Sequence, residues 1–173
     1  MVVQSTTLYA EDSPYWDTTV HPAKSQAEII ELLEAFGAES IMTISGISQG
    51  RHAWLVRFQW MRRNYRFAFT PKECRYPSKT SRFGGKPRIH SEQARYQMGR
   101  TAAWFIKAIL TAASENKDAI FGFLELPYAA SQSGSMPPTA AELDIRRLAD
   151  AVPLLPNITI LLSEDYDPDP LPV

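Results

Sequence analysis

The stretch Trp54-Leu55-Val56-Arg57-Phe58-Gln59-Trp60, followed after a short gap by Tyr65-Arg66-Phe67-Ala68-Phe69, decides the fold. Bulky apolar residues alternate with polar or small ones in both runs. A period of two is the mark of a strand with one face buried. A tight turn near Arg63-Asn64 would pair Trp60 with Phe67 and Phe58 with Phe69, since asparagine tolerates the left-handed backbone of such turns. All the aromatics then share one face, which reads as core rather than as a base-stacking platform.

Outward from this hairpin, Ser40–Ser45 reads as a third strand, with Gly46 to Gly50 as the turn that follows it. The three strands form an antiparallel meander. Before them, Ser25-Gln26-Ala27-Glu28 has the form of a capping box. Ile29, Leu32, Leu33 and Phe36 follow at helical spacing, and Gly37 suits the helix stop. After the meander, residues 71–90 read PKECRYPSKTSRFGGKPRIH. Their prolines and paired glycines predict an irregular loop. A long helix over 91–114 carries the apolar stripe Met98, Ala102, Phe105, Ile106, Ile109 and Ala113, with Ser91 as its N-cap. Gly99 inside it costs about 1 kcal/mol relative to Ala, which marks a close packing contact. Arg100, Trp104 and Lys107 form a separate stripe.

The remainder predicts a strand over 119–126, with a short buried helix as the alternative, and a connection over 127–138. A second capping box, Thr139 to Glu142, opens a helix to about Ala151, and a buried strand follows at 157–162. The expected architecture is α+β: a capped helix, an antiparallel meander packed against a long helix, and a helix–strand extension. The organisation is an irregular arm at 1–20, a single domain at 21–163 with a basic loop at 71–90, and an acidic, disordered tail at 164–173.

Charge is the strongest functional signal. Residues 51–100 hold 13 of the 18 lysines and arginines against two acids, Glu73 and Glu92, a net +11. The segments on either side each carry −6, so the overall −1 hides the polarity. A basic block of this kind predicts an anionic partner, DNA or RNA. Its candidate contacts are Arg57 and Arg66 on the polar strand face, and Arg62 and Arg63 at the hairpin tip. Lys72, Arg75, Lys79, Arg82, Lys86 and Arg88 come from the loop, and Arg95 from the helix start. Tyr76 and Phe83 in the loop are the candidates for stacking on bases.

Three segments resemble a group of small proteins of bacterial phages, prophages and plasmids. They are Lys24–Ile41 (KSQAEIIELLEAFGAESI), the strands ending in RRNYRFAF, and Arg100–Leu126 with Trp104-Phe105-Ile106-Lys107-Ala108 and Phe121-Gly122-Phe123-Leu124. The spacing from Trp104 to Lys107 departs slightly from the group's pattern. The resemblance covers about 100 residues, mostly core and cap positions. It carries no activity and no functional residues. What it implies is context, an accessory protein of a mobile element acting inside a bacterium.

No catalytic, metal or cofactor motif accompanies the basic block. His21, His52 and His90 lie at no metal spacing. His90-Ser91-Glu92 is a catalytic trio in letters only, since neighbouring residues rarely converge on one site. Gly84-Gly85-Lys86 lacks a phosphate-loop pattern. Cys74, the lone cysteine, excludes an internal disulfide framework; its cationic neighbours would act to lower its pKa, but it reads as a chance unpaired cysteine rather than a nucleophile. The expected function is therefore non-enzymatic nucleic-acid binding by a cytoplasmic accessory protein. The alternative is a protein-interaction module, an inhibitor or adaptor of a host factor. A nuclease would need convergent acids beside the basic surface, and no membrane role is expected.

Overall fold

The computed structural model describes residues 8–48, 51–127 and 136–143. The chain divides into two compact units, Met1–Phe121 and Gly122–Val173. In the first, α1 (Pro22–Phe36) leads into a three-stranded antiparallel sheet of β1 (Glu39–Ser48), β2 (Arg51–Trp60) and β3 (Arg63–Phe69), in that order. A separate hairpin, β4 (Thr80–Phe83) and β5 (Lys86–Ile89), then feeds α2 (His90–Glu115). The architecture is α+β, as the alternating pattern predicts.

The meander's register differs from the expected one. The two-residue turn is Met61-Arg62, both with positive φ (49° and 62°), and Trp60 pairs with Arg63. Asn64 lies inside β3 opposite Gln59. Phe58 therefore faces Tyr65, Val56 faces Phe67 and Trp54 faces Phe69. This register pairs the whole of β3 with Trp54 to Trp60, whereas the expected one would leave Trp54 and Val56 beyond the end of β3. The slip is by an even number of residues, so every aromatic stays on its original face. Left-handed backbone at two non-glycine residues is the local cost of that longer ladder. β1 also runs on through Gly46 to Ser48, with Gly46 opposite Ala53, instead of turning at Gly46.

The aromatic face is the core. Val56, Phe58 and Phe67 are almost wholly buried, with Trp54 and Tyr65 close behind. α1 covers one end, where the Phe36 and Trp60 rings lie 4.7 Å apart. α2 covers the other, where Phe105 meets Phe67 and Phe69 edge-on. α1 and α2 pack along each other, and Ile29 and Leu33 of the one and Ala102 and Ile106 of the other are fully buried. Gly99 is the close contact that its position in the helix implies. A Cβ built there lies 2.8 Å from Trp54 Cη2 and 3.4 Å from Ser25 Cβ, so sheet and helices meet at one point.

Helix starts are corrected. α1 begins a turn before Ser25, with Pro22 in its first turn and His21 Nδ1 accepting the Ala23 N–H at 3.2 Å. Ser25 is fully buried instead of capping, and its hydroxyl has no hydrogen-bond partner among the described residues. The stop is as expected: Gly37 is left-handed at φ 85°, and its N–H and that of Ala38 bond back to Glu34 and Leu33. Ser91 is not the N-cap of α2. The first free donors, the N–H groups of His90 and Ser91, bond to the carbonyls of Lys79 and Pro77.

In the second unit, the strand expected over 119–126 is absent. A 3-10 helix, Lys117–Phe123, runs into this unit, and one isolated bridge joins Glu125 to Thr139. The second capping box forms, with the Thr139 N–H donating to Glu142 Oε2 at 2.8 Å, but around a short 3-10 turn, Ala140–Glu142. The expected helix to Ala151, the strand at 157–162 and the tail at 164–173 lie outside the described residues.

Candidate functional site

The largest correction falls on the basic loop and the arm. Residues 80–89 are not irregular. Gly84 and Gly85, at φ 57° and 82°, form the two-residue turn of the β4–β5 hairpin. In such a hairpin the pair nearest the turn exchanges hydrogen bonds and the next pair does not. Pro87 occupies that next pair, opposite Arg82, so its missing N–H costs the ladder nothing. The hairpin's two faces then differ. Ser81, Phe83 and Arg88 point inward, while Thr80, Arg82 and Ile89 are exposed.

The N-terminal arm is a packed structural part from residue 8 onward. Gln93 and Gln97, one helical turn apart on α2 and both almost fully buried, hold it. Gln97 Nε2 donates to the carbonyls of Ala10, Ser13 and Pro14 at 2.9, 3.1 and 2.8 Å. Gln93 Nε2 donates to Trp16 and Thr18 at 2.5 and 2.9 Å. These bonds satisfy backbone carbonyls of the arm, of which that of Ala10 also accepts the Ser13 N–H. The arm in turn holds residues 72–76. The Ala10 N–H reaches the Glu73 carbonyl at 2.8 Å. The Glu11 carboxylate accepts the backbone N–H groups of Arg75 and Tyr76 at 3.0 and 3.2 Å, and His90 Nδ1 lies 3.0 Å away. Burial alone would raise the Glu11 pKa, but these bonds outweigh it and hold the carboxyl at about 2.

His90 Nε2 also lies 2.9 Å from Ser81 Oγ. Ser81, His90 and Glu11 thus follow the order of a serine–histidine–carboxylate relay. Their setting is structural. The imidazole is nearly buried, with Trp16 and Phe83 edge-on at 5.0 and 6.3 Å, and Glu11 is already engaged by two backbone donors. The trio fastens arm, hairpin and helix together.

These packing constraints sort the predicted contacts. Arg88 and Phe83 are withdrawn from any partner surface. Arg88 is 9% exposed, donates to Gln93 Oε1 and lies 3.6 Å over the Tyr96 ring; Phe83 packs edge-on against Trp16. Arg75 is exposed but pairs with Asp12 at 2.5 Å and lies over Tyr9. Lys72 donates to Ser13 Oγ at 2.8 Å. Lys79, Arg82 and Lys86 are exposed, and among the described residues no acid lies within ion-pair distance of them. Tyr76 is also exposed, beneath Lys79 Nζ at 5.6 Å. Arg57 and Arg66 face each other across β2 and β3 on the outer sheet face, beside Met42. Arg62 is exposed in the turn, and Arg63 opens β3. The structure therefore does not gather all the predicted cations at one place.

It does gather some that sequence reasoning kept apart or left out. A groove of about 390 Å³ is lined by Arg51, His52, Lys72, Glu73, Ser91 and Arg95, among others. Arg51 went unremarked because it starts a strand far from the loop in sequence. Cys74 lines the same groove, but its pKa is pushed up to about 11, by burial first and then by the Glu11 charge. The expectation of a lowered pKa is overturned, and the thiol is not a thiolate nucleophile at neutral pH. Among the described residues, no group of three His, Cys, Asp or Glu side chains is arranged to hold a metal ion, and no helix is long and apolar enough to cross a membrane. No protein family, curated protein or solved structure matches this chain.

Proposed function

We propose that this protein is a nucleic-acid-binding accessory factor of a phage or related mobile element, working in the bacterial cytoplasm without catalysing a reaction. The observation that carries the reading is the exposed side of the 76–86 region. Among the described residues, Lys79, Arg82 and Lys86 stand there without a neighbouring acid, on and beside a hairpin tied to the body by the Arg88 and His90 contacts. Cations left unneutralised on a fixed support are suited to phosphates, and their salt-dependent attraction comes from counterion release. Tyr76, exposed beside Lys79, supplies a ring face for a base.

The test is fluorescence anisotropy with single- and double-stranded DNA and RNA over a salt series. Wild type should bind with a steep log–log salt slope. The K79A/R82A/K86A triple variant should lose affinity, and its duplex slope should shrink by about 2.7, at roughly 0.9 per phosphate contact. Absence of binding to any nucleic acid at low salt refutes the reading.

A second reading has its own observation. The outer face of the meander is not covered among the described residues. Ile44 lies across from Leu55, which lies across from Ala68, and Ile44 and Met42 are each about 40% exposed. An apolar stripe beside Arg57 and Arg66 suits a protein partner. A defined partner that co-purifies after nuclease treatment, and is lost in I44D, favours this alternative.

A further inference from the structure

The groove beside the arm brings together cations from three separate elements. Arg51 and His52 come from the start of β2, Lys72 from the loop after β3, and Arg95 from the second turn of α2. Two of the cations are already positioned. Arg51 Nη2 donates to the Pro71 carbonyl at 2.7 Å, and its Nη1 lies 3.6 Å from Glu73. Lys72 is held by Ser13. Arg95 differs: it is half-buried and has no hydrogen-bond or ion-pair partner among the described residues. A guanidinium partly removed from water with nothing opposite it is unfavourable until an anion arrives.

The charge at the groove indicates which anion. Three permanently charged cations, Arg51, Lys72 and Arg95, against Glu73 leave a net +2 along the lining, with His52 as a further ring donor and Ser91 as a hydroxyl. The first turns of α2 form one wall, through Ser91 and Ala94, so the positive end of a 26-residue helix lies beside it. A phosphodiester carries one negative charge; a phosphate monoester approaches two. The volume, about 390 Å³, is in the range of small-ligand sites.

We infer that this groove binds a terminal phosphate monoester, at a nucleic-acid end or on a free mononucleotide, with Arg95 as its principal contact and Arg51 and Lys72 beside it. The nucleic-acid end rests on the function proposed above; the phosphate site itself does not. It adds end recognition to a protein whose outward hairpin contacts the backbone. Because Glu73, Lys72 and Arg51 are already held by the arm and by Pro71, little ordering accompanies binding.

The experiment compares one oligonucleotide in three forms, with a 5′-phosphate, with a 3′-phosphate and with hydroxyls at both ends, together with the matching deoxynucleoside 5′-monophosphate. Each is titrated into wild type, R95Q and K79A/R82A/K86A, with thermal melting as the folding control. One phosphorylated end should bind wild type about tenfold tighter or more than the hydroxyl form. R95Q should lose that gain while keeping binding to the hydroxyl form, and the triple variant should keep the gain while losing overall affinity. Which end shows the gain identifies the source of the phosphate. Equal wild-type affinity for all three forms, which needs no variant to fold, overturns the site and leaves the proposed function standing. Arg95-dependent binding of the monophosphate without binding of any oligonucleotide supports the site and overturns the proposed function. No binding of any probe overturns both.

Discussion

Replacing Glu11 with glutamine tests how the basic surface is held in place. The carboxylate ties two backbone N–H groups of the loop and His90 of α2 to the arm. Its pKa is held near 2 against an ordinary 4.5. At 1.36 kcal/mol per unit, that difference corresponds to about 3 kcal/mol of differential stabilisation. Slight solvent access to the side chain trims the working figure to about 2–3 kcal/mol. The direction follows from linkage. A carboxyl depressed in the folded state binds fewer protons than in the unfolded chain, so its contribution is complete above about pH 4.5. It is lost progressively as the pH falls from there towards 2. Urea unfolding of wild type and E11Q at pH 7, 4.5 and 3 measures this. At pH 7, E11Q should be less stable by about 2–3 kcal/mol, and the two curves should converge as acid protonates the wild-type group. Because Glu11 fixes residues 75 and 76, E11Q should also weaken nucleic-acid binding without removing a cation. Parallel stability profiles for the two proteins from pH 7 to 3 refute the role given to Glu11.

Arg88 and Arg82 are both cations of the hairpin but should behave oppositely. R88A should cost about 2 kcal/mol or more in urea unfolding, since it strips a buried partner from Gln93 and a cation from the Tyr96 ring. R82A should change stability by less than about 0.5 kcal/mol while lowering nucleic-acid affinity. S25A should leave the melting temperature unchanged or raise it, because the Ser25 hydroxyl is buried and unbonded; a loss of about 1 kcal/mol is what a capping serine would show. At Gly99, G99A sets a helix gain of about 1 kcal/mol against overpacking of about 1–3 kcal/mol on Trp54, for a net loss of about 1 kcal/mol. G46A, where a Cβ meets nothing within 4 Å, should show no such loss in the same melting series.

The meander and both long helices were legible because hydrophobic period is a robust signal. Trp54, Val56, Phe58 and Phe67 had to share a face whatever the exact turn, and an even slip in register left that face intact. The turn itself was not legible. Asn64 is the better left-handed residue, yet Met61 and Arg62 take that conformation because the longer strand pairing outweighs local preference. The second hairpin was hidden by treating prolines only as breakers. Gly84-Gly85 between two four-residue runs is itself a hairpin signal, and Pro87 sits where a ladder tolerates it.

For the candidate site, a count of charge along the sequence exceeds the charge available to a partner. Arg88 and Lys86 are two residues apart on the same face of β5, yet they meet opposite fates, because Arg88 lies buried over the Tyr96 ring while Lys86 sits beside the turn and is exposed. The arm removes more, since Asp12 pairs with Arg75 and Ser13 holds Lys72. That effect was not readable from composition, because the arm's acids are remote in sequence from the cations they meet. One signal was present. His90, Gln93 and Gln97 fall at i, i+3 and i+7 on α2, a polar stripe beside the apolar one. A stripe of hydrogen-bonding side chains on a packed helix predicts a backbone segment lying against it, since buried amides need partners and an irregular segment supplies unpaired carbonyls. The same stripe that signals the packed arm also orients Glu11, through His90, and through Glu11 the loop. Among the described residues, the cations without a charge partner include Arg95 in the groove and Lys79, Arg82 and Lys86 on and beside the hairpin, and under the proposed function these are where an anionic partner gains most.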